Sequence, residues 1–263
     1  MRSLRPLKRF GQNYLIDDNI LNKIVKEINP SPNEFIIEIG PGLGALTKHL
    51  YEKTNNITLV EIDSRVVDEL HDKYPELEIF HQDFLKLDLI EIASRKNAKI
   101  RITGNIPYNI TSQILFKLIE NINVVNDAVL MMQWEVAQRL RAERGTKDYG
   151  ILAVIMQYFS EINLCFKVSP NVFYPKPKVN SALIHLNFNN LTLQELDKSF
   201  FIKTVKAAFG NRRKTLKNSL SNSIFGDINF NNCGIDLTLR AEQLSINDFL
   251  TLAEFVKNNY SKI

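Results

Sequence analysis

A strand that runs directly into a glycine turn and then a helix dictates most of what this chain can become. The run 35–39 is apolar and β-branched, Glu38-Ile-Gly-Pro-Gly-Leu-Gly44 follows, and a helical pattern covers 43–53. Glycines let the backbone turn tightly at that junction. A strand, a tight turn and a helix form the first half of a βαβ unit, which lays the next strand parallel to the first. The first half of the chain keeps that rhythm. Strand patterns recur at 58–62, 78–81, 100–104 and 128–133. Helical patterns lie between them at 65–73, after the N-cap pair Asp63-Ser64, and at 112–120, after Thr111. Such alternation predicts a doubly wound α/β fold, with a parallel sheet covered on both faces. A helix over 149–157 and strands near 159–168 and 179–188 complete this part. The last strand alternates in Ala182-Leu-Ile-His-Leu-Asn-Phe188 and reads as part of a hairpin added at one sheet edge.

Beyond Asn189 the pattern changes and no strand competes. Helical stretches are expected at 200–209, 212–222, 237–240 with a turn, and 246–260. The expected division is therefore 1–190 for the α/β domain and 191–263 for a small helical one. With 44% hydrophobic residues, 16 Phe and 8 Tyr in 263 residues, the chain can fill a core, which excludes a disordered tail protein. Apolar runs are far too short for a membrane span. The first ten residues are basic, but no apolar stretch follows, so a secretory signal is not expected; Asp17 and Asp18 arrive early for a transit peptide. Cys165 and Cys233 are too few for a disulfide framework or a metal cage, which suits a cytoplasmic protein. His49, His71, His81 and His185 show no ligand spacing, so no metal is expected. No heptad stands out, and a monomer is the default.

The glycine spacing also speaks to a ligand. Gly40-x-Gly42-x-Gly44 is not the dinucleotide fingerprint, and Glu38 just before it would repel a pyrophosphate. Glu61 ends the second strand, where a doubly wound sheet places it beside the first turn. A carboxylate there can accept both hydroxyls of a ribose. Asp83 follows the third strand and can accept an adenine amine, with Phe84 against the ring; the plain alternative is an N-cap. A ligand with an adenosine and no phosphates fits this set, and S-adenosylmethionine is one.

The fourth strand ends in Thr103-Gly-Asn105-Ile-Pro107-Tyr108-Asn109. Pro107 breaks the ladder and lets nearby carbonyls turn into the crevice. The Asn105 side-chain carbonyl and the Ile106 and Pro107 backbone carbonyls would then form an acceptor cluster. An exocyclic adenine amine needs such acceptors, because its lone pair is delocalised into the ring. Holding its hydrogens favours a tetrahedral nitrogen able to attack a methyl group, so the chemistry is positioning and electrostatics. Tyr108 offers a face for the base.

Lys plus Arg exceeds Asp plus Glu by only four charges, but their placement is biased. Arg2, Arg5, Lys8 and Arg9 crowd the N-terminus; Lys176 and Lys178 flank Pro177; Lys203, Lys206, Arg212, Arg213, Lys214 and Lys217 lie within 200–220 without an acid. Clusters of this kind are the footprint of phosphate binding and make RNA the expected partner.

Together these residues resemble the ribosomal RNA adenine dimethyltransferases. The resemblance is carried by Arg5-Pro-Leu-Lys-Arg-Phe-Gly-Gln-Asn-Tyr-Leu15, Glu38–Gly44, Glu61, Asp83, Asn105–Tyr108 and Pro170-Asn-Val-Phe173-Tyr-Pro175-Lys-Pro177-Lys-Val179-Asn-Ser181. Phe209-Gly-Asn-Arg212-Arg213-Lys214-Thr-Leu216-Lys-Asn218-Ser-Leu220 is similar to the small-subunit, KsgA/RsmA branch rather than to the Erm branch, which acts on 23S rRNA. The resemblance implies a Rossmann-like methyltransferase domain with a mostly parallel seven-stranded sheet, followed by a helical RNA-binding domain. It implies S-adenosylmethionine-dependent dimethylation of N6 of two adjacent adenosines near the 3′ end of 16S rRNA, on a small-subunit assembly intermediate. It assigns cofactor contacts to Asn13, Leu15, Gly40, Glu61, Asp83 and Asn105. It assigns the reaction to Asn105, Pro107 and Tyr108, with Phe173 covering the target base opposite Tyr108.

Overall fold

The computed structural model describes residues 7, 11–188, 198–211 and 213–260. The chain opens with β1 (Tyr14–Leu15), α1 (Asp18–Ile28), β2 (Phe35–Ile39), α2 (Ala45–Tyr51), β3 (Ile57–Glu61), α3 (Ser64–Lys73), β4 (Glu78–His81) and α4 (Leu89–Lys96). It continues with β5 (Ile100–Asn105), α5 (Thr111–Glu120), β6 (Val125–Gln133), α6 (Trp134–Leu140), α7 (Ile151–Phe159), β7 (Glu161–Val168), β8 (Phe173–Tyr174) and β9 (Ser181–Asn187). The last helices are α8 (Lys198–Ala208), α9 (Leu216–Ser221) and α10 (Ile246–Tyr260).

Seven strands form one sheet in the order β4-β3-β2-β5-β6-β9-β7. β4, β3, β2, β5 and β6 pair in parallel, and β9 alone runs antiparallel to its neighbours β6 and β7. This is the expected mostly parallel, seven-stranded Rossmann-like sheet. The expected hairpin strands are also there, with β9 inserted between β6 and β7. In β2 and β3 every residue is buried, as befits strands covered on both faces. Leu21, Ile24, Val25 and Ile28 of α1 and Val66 and Leu70 of α3 share one core with Ile36, Leu59 and Val129. Asp17 and Asp63 cap these two helices by accepting backbone amides of their first turns. From β2 the chain winds outward through β3 and β4, then returns to β5 on the other side. That reversal opens a crevice at the carboxyl ends of β2, β3 and β5.

Near the opposite ends of the strands, a buried ion cluster ties three of them together. Arg101 on β5 donates to both Asp127 oxygens on β6, at 2.8 and 2.7 Å, and to Glu34 at 2.7 Å. His185 on β9 lies 2.7 Å from the same Asp127 carboxylate.

The chain divides into two compact units, one of residues 1–137 with 161–190 and the other of 138–160 with 191–263. The sequence division at 190 left 138–160 with the first domain; the structure groups it with the second. The reason lies in α7, which is apolar nearly all round. Tyr158 and Phe159 pack on Phe201 of α8 with ring centroids 4.4 and 5.7 Å apart, and Tyr149 meets Phe209 at 6.4 Å. Two expected helices also differ. Residues 237–240 form a turn in which Asp236 accepts from the Thr238 amide and hydroxyl, and α9 begins only at Leu216. The expected basic residues Arg2, Arg5, Lys8, Arg9 and Arg212 lie outside the described residues.

Candidate active site

The crevice at the switch point holds a cavity of about 200 Å³. Its lining brings together Asn13, Gly40, Glu61, Asp83, Asn105, Pro107 and Tyr108, from sequence positions far apart. A second cavity, of about 320 Å³, shares Tyr14, Gly40 and Asn105 with the first and adds Leu15 and Glu38. Leu15 thus lies beside the second cavity and not the first.

The glycine turn sits at the carboxyl end of β2. Gly40, Gly42 and Gly44 all take positive φ, at 61°, 54° and 80°. At Gly40 a Cβ would meet nothing within 4 Å, so the turn leaves open space where a ligand can come close to the backbone. Gly42 is required for another reason: a Cβ there would stand 2.7 Å from the Tyr14 ring. One strand further in, a Cβ on Gly104 would collide with the Ile39 carbonyl, so only glycine lets β5 approach β2 at this point.

Glu61 is held firmly at the end of β3. One oxygen accepts the Ile62 and Asp63 amides at 2.9 and 3.0 Å, and the other accepts the Gly42 amide at 3.3 Å. Burial pushes its carboxyl up, against the pull of these three amides. Oε2 keeps one lone-pair direction for a ribose hydroxyl, whereas Oε1 already accepts two amides, so a second hydroxyl there would compete with one of them. Asp83 both caps and lines: Oδ1 accepts the Leu85 amide at 2.9 Å, and the residue faces the cavity. The cap therefore does not take Asp83 out of the cavity lining. Lys117 secures this loop by donating to the Leu85 and Leu87 carbonyls at 3.1 and 2.7 Å.

Asn105 is oriented by a contact the sequence did not reveal. Its Nδ2 donates to the Asn13 backbone carbonyl at 2.7 Å, which leaves Oδ1 as the acceptor end of the amide. Asn13 thus acts here through its backbone, while its own side-chain amide turns back to the Gly11 carbonyl at 3.2 Å. Gln12 anchors this segment by donating to Asp63 at 3.3 Å. The acceptor cluster is smaller than expected. The Pro107 carbonyl is occupied by the Ile110 amide at 3.2 Å and the Thr111 hydroxyl at 3.3 Å. Among the described residues nothing donates to the Ile106 carbonyl, so it and Asn105 Oδ1 are the acceptors left. Tyr108 lines the cavity, and its hydroxyl is fixed 2.7 Å from the Ser181 hydroxyl.

Phe173 lies apart from the residues gathered at the cavity. It is 3% exposed, belongs to the hydrophobic core and lines neither cavity. It pairs with Leu15 across β1 and β8, and strand alternation turns both side chains inward. Two groups to which the sequence reading gave no contact of their own sit nearby. Tyr14 lines both cavities, and its buried hydroxyl has no hydrogen-bond partner among the described residues, its pKa pushed to about 12 by burial and by Glu61 and Asp63. Glu38 is buried behind the glycine turn, accepts the Thr47 hydroxyl at 2.7 Å and is pushed up to about 7 by burial. An unpartnered buried hydroxyl, open space at Gly40 and carboxylates at Glu61 and Asp83 fit a ligand that is cationic or hydroxyl-rich.

The family described as "Ribosomal RNA adenine dimethylase" matches residues 5–258. The chain belongs to the ribosomal RNA adenine dimethylase family. It is 44% identical over 254 residues to the ribosomal RNA small subunit methyltransferase A of Francisella tularensis subsp. novicida (strain U112), covering 95% of this chain and 97% of that protein. Among solved structures, a dimethyladenosine transferase from Plasmodium falciparum is similar with a TM-score of 0.76 and 26% identity, over 92% of this chain and 97% of its own. The 23S rRNA methyltransferase ErmE is similar with a TM-score of 0.67 and 25% identity, over 93% and 100%. The likeness to ErmE therefore spans the second unit too, and a helical C-terminal part does not by itself separate the two branches of the family.

Proposed function

We propose that this protein transfers methyl groups from S-adenosylmethionine to N6 of two adjacent adenosines near the 3′ end of 16S rRNA. The observation that carries this reading is the Asn105–Tyr108 segment at the switch-point cavity, in a chain 44% identical to a small-subunit methyltransferase. When bound, the cofactor supplies an electrophilic methyl on a sulfonium. Glu61 would hold the ribose hydroxyls and Asp83 the cofactor's adenine amine. Asn105 Oδ1 and the Ile106 carbonyl would accept the two hydrogens of the target N6. This aims the lone pair at the methyl and favours the proton's departure once the N–C bond forms. N6 becomes acidic only as it gains the methyl, so no general base is needed before attack and its proton passes to water afterwards. Tyr108 gives the base a face, and its fixed hydroxyl keeps the ring in place.

The site works on a base lifted out of its stack, which costs a few kcal/mol in a duplex and less in a loop. Exposed Lys176, Lys178, Lys203, Lys206, Arg213, Lys214 and Lys217 would offset that cost by holding backbone phosphates. The second unit, with residues 191–263, is the RNA-binding domain in this reading, and the substrate is a small-subunit assembly intermediate. The enzyme works as a monomer in the cytoplasm. Among the described residues no helix is long and apolar enough to cross a membrane.

Purified small subunits lacking these methyl groups, incubated with the protein and S-adenosylmethionine, test the proposal. Mass mapping should find dimethyladenosine at two neighbouring positions near the 16S 3′ end. Methyl groups found only on 23S rRNA would instead assign the chain to the Erm activity.

A further inference from the structure

Phe173 and Tyr174 are adjacent aromatics with opposite fates: the first is 3% exposed and the second 60%. β8 pairs with β1 so that Tyr14 faces Tyr174 and Leu15 faces Phe173. Directly opposed residues project to the same face of a sheet. Tyr174 therefore shares a face with Tyr14, which lines the active-site cavity, while Phe173 and Leu15 share the core face. Alternation places Ile16 on the same face as Tyr14, where it is 63% exposed at the edge of the second cavity. Tyr174 itself lines neither cavity. Among the described residues no other ring lies against it. Lys176 and Lys178 follow it, both exposed, with no acid between Tyr174 and Ser181.

The geometry points to Tyr174 as a stacking platform for the nucleobase next to the target adenosine, with Lys176 and Lys178 on the adjoining phosphates. An exposed ring one strand away from a cavity-lining residue meets a base outside the cavity, not the one inside it. The occupant is a nucleotide because an aromatic face beside two lysines offers both a stacking surface and charge for the backbone. Because the substrate has two adjacent target adenosines, the same ring would steady the second while the first occupies the cavity. This inference rests on the rRNA adenine methyltransferase reading and adds a positioning residue to it.

The test compares Tyr174→Phe, Tyr174→Leu and Tyr174→Ala on unmethylated small subunits, with cofactor affinity measured by calorimetry. Tyr174→Ala and Tyr174→Leu should raise KM for the subunits about tenfold, within the span one base–aromatic stack covers. Tyr174→Phe should stay close to wild type, and cofactor affinity should not change in any of the three. A wild-type KM in Tyr174→Ala, or a Tyr174→Leu protein that matches Tyr174→Phe, would overturn the stacking role. Should Tyr174→Ala lose cofactor binding, and with it its fold, the Leu and Phe variants decide between them. A wild-type protein that methylates no small subunit would sink the underlying reading instead; subunit binding by the same variants would then judge Tyr174 separately.

Discussion

Asn105 shows how a single amide is committed to one task. Its Nδ2 is spent on the Asn13 carbonyl, so Oδ1 is the end available to a substrate. Replacing it with Ala removes the acceptor that the proposed reaction gives to the target amine, together with the bond to the Asn13 carbonyl. Turnover should fall on the order of 100-fold or more, the scale for losing one preorganised hydrogen-bonding group, while cofactor affinity drops much less. Single-turnover methyl transfer with calorimetry on the same sample separates the two. Glu61 should behave in the reverse manner. Glu61→Ala removes charge-assisted bonds to a ribose, each worth roughly 1.5–3 kcal/mol, so cofactor binding should weaken at least tenfold. An unaltered dissociation constant would take Glu61 out of the cofactor site. Glu38 makes a prediction about pH. Burial raises its carboxyl from 4.5 in the unfolded chain to about 7 in the folded one. The folded state therefore favours the protonated acid. That contribution to stability is full below pH 4.5 and is lost as pH rises through about 7. Urea unfolding should show stability falling across this window by on the order of 3 kcal/mol. Glu38→Gln keeps an acceptor for Thr47 and should flatten that slope.

At the scale of elements, β5, β6 and β9 are joined by Arg101, Asp127 and His185. Burial alone would raise Asp127, but hydrogen bonds from His185 and Arg101 outweigh it and hold the carboxyl below its ordinary value. Asp127→Ala leaves Arg101 buried with Glu34 and the Asn29 carbonyl as its remaining acceptors, and the loss should be roughly 3–5 kcal/mol. A depressed carboxylate stabilises above its unfolded pKa of 3.8 and ceases to as pH falls through its folded value. The gap between wild type and variant in urea titrations should therefore close on the acid side. The elements differ in how far the sequence reveals them. β2 and β3 are mostly apolar, β-branched runs bounded by turns, and both are legible. The helices α1, α4 and α6 lie outside the sequence reading, although Asp17 before α1 and Asp88 before α4 are capping residues in plain view. β1 and β8 have two residues each, too few for any periodicity to show. That pair decides which of Phe173 and Tyr174 is buried. Motif position alone could not choose between neighbours; register could. The Asn13 carbonyl and the occupied Pro107 carbonyl are backbone facts of the same kind, set by tertiary approach and invisible in side-chain identity.

The whole molecule carries a net charge of only +4, yet Lys203 and Lys206 on α8 and Arg213, Lys214 and Lys217 beyond it are all exposed on the second unit. If they meet phosphates, their effect is local and follows the counterions they displace. Each phosphate contact contributes about 0.7–0.9 to the slope of log affinity against log salt. The double variant Arg213→Glu, Lys214→Glu should weaken small-subunit RNA binding and lower that slope by about 1–2 when titrated between about 50 and 200 mM salt. The same variant also takes the net charge from +4 to zero, which would weaken any polyanion's attraction without a specific contact. Lys23 and Lys26, exposed on α1 of the first unit, supply the control, because reversing them makes the identical change in net charge. A contact role requires the Arg213–Lys214 variant to lose both affinity and slope while the Lys23–Lys26 variant loses little of either. Equal losses in the two would place the attraction in the overall field of the protein and remove the cluster from the RNA interface.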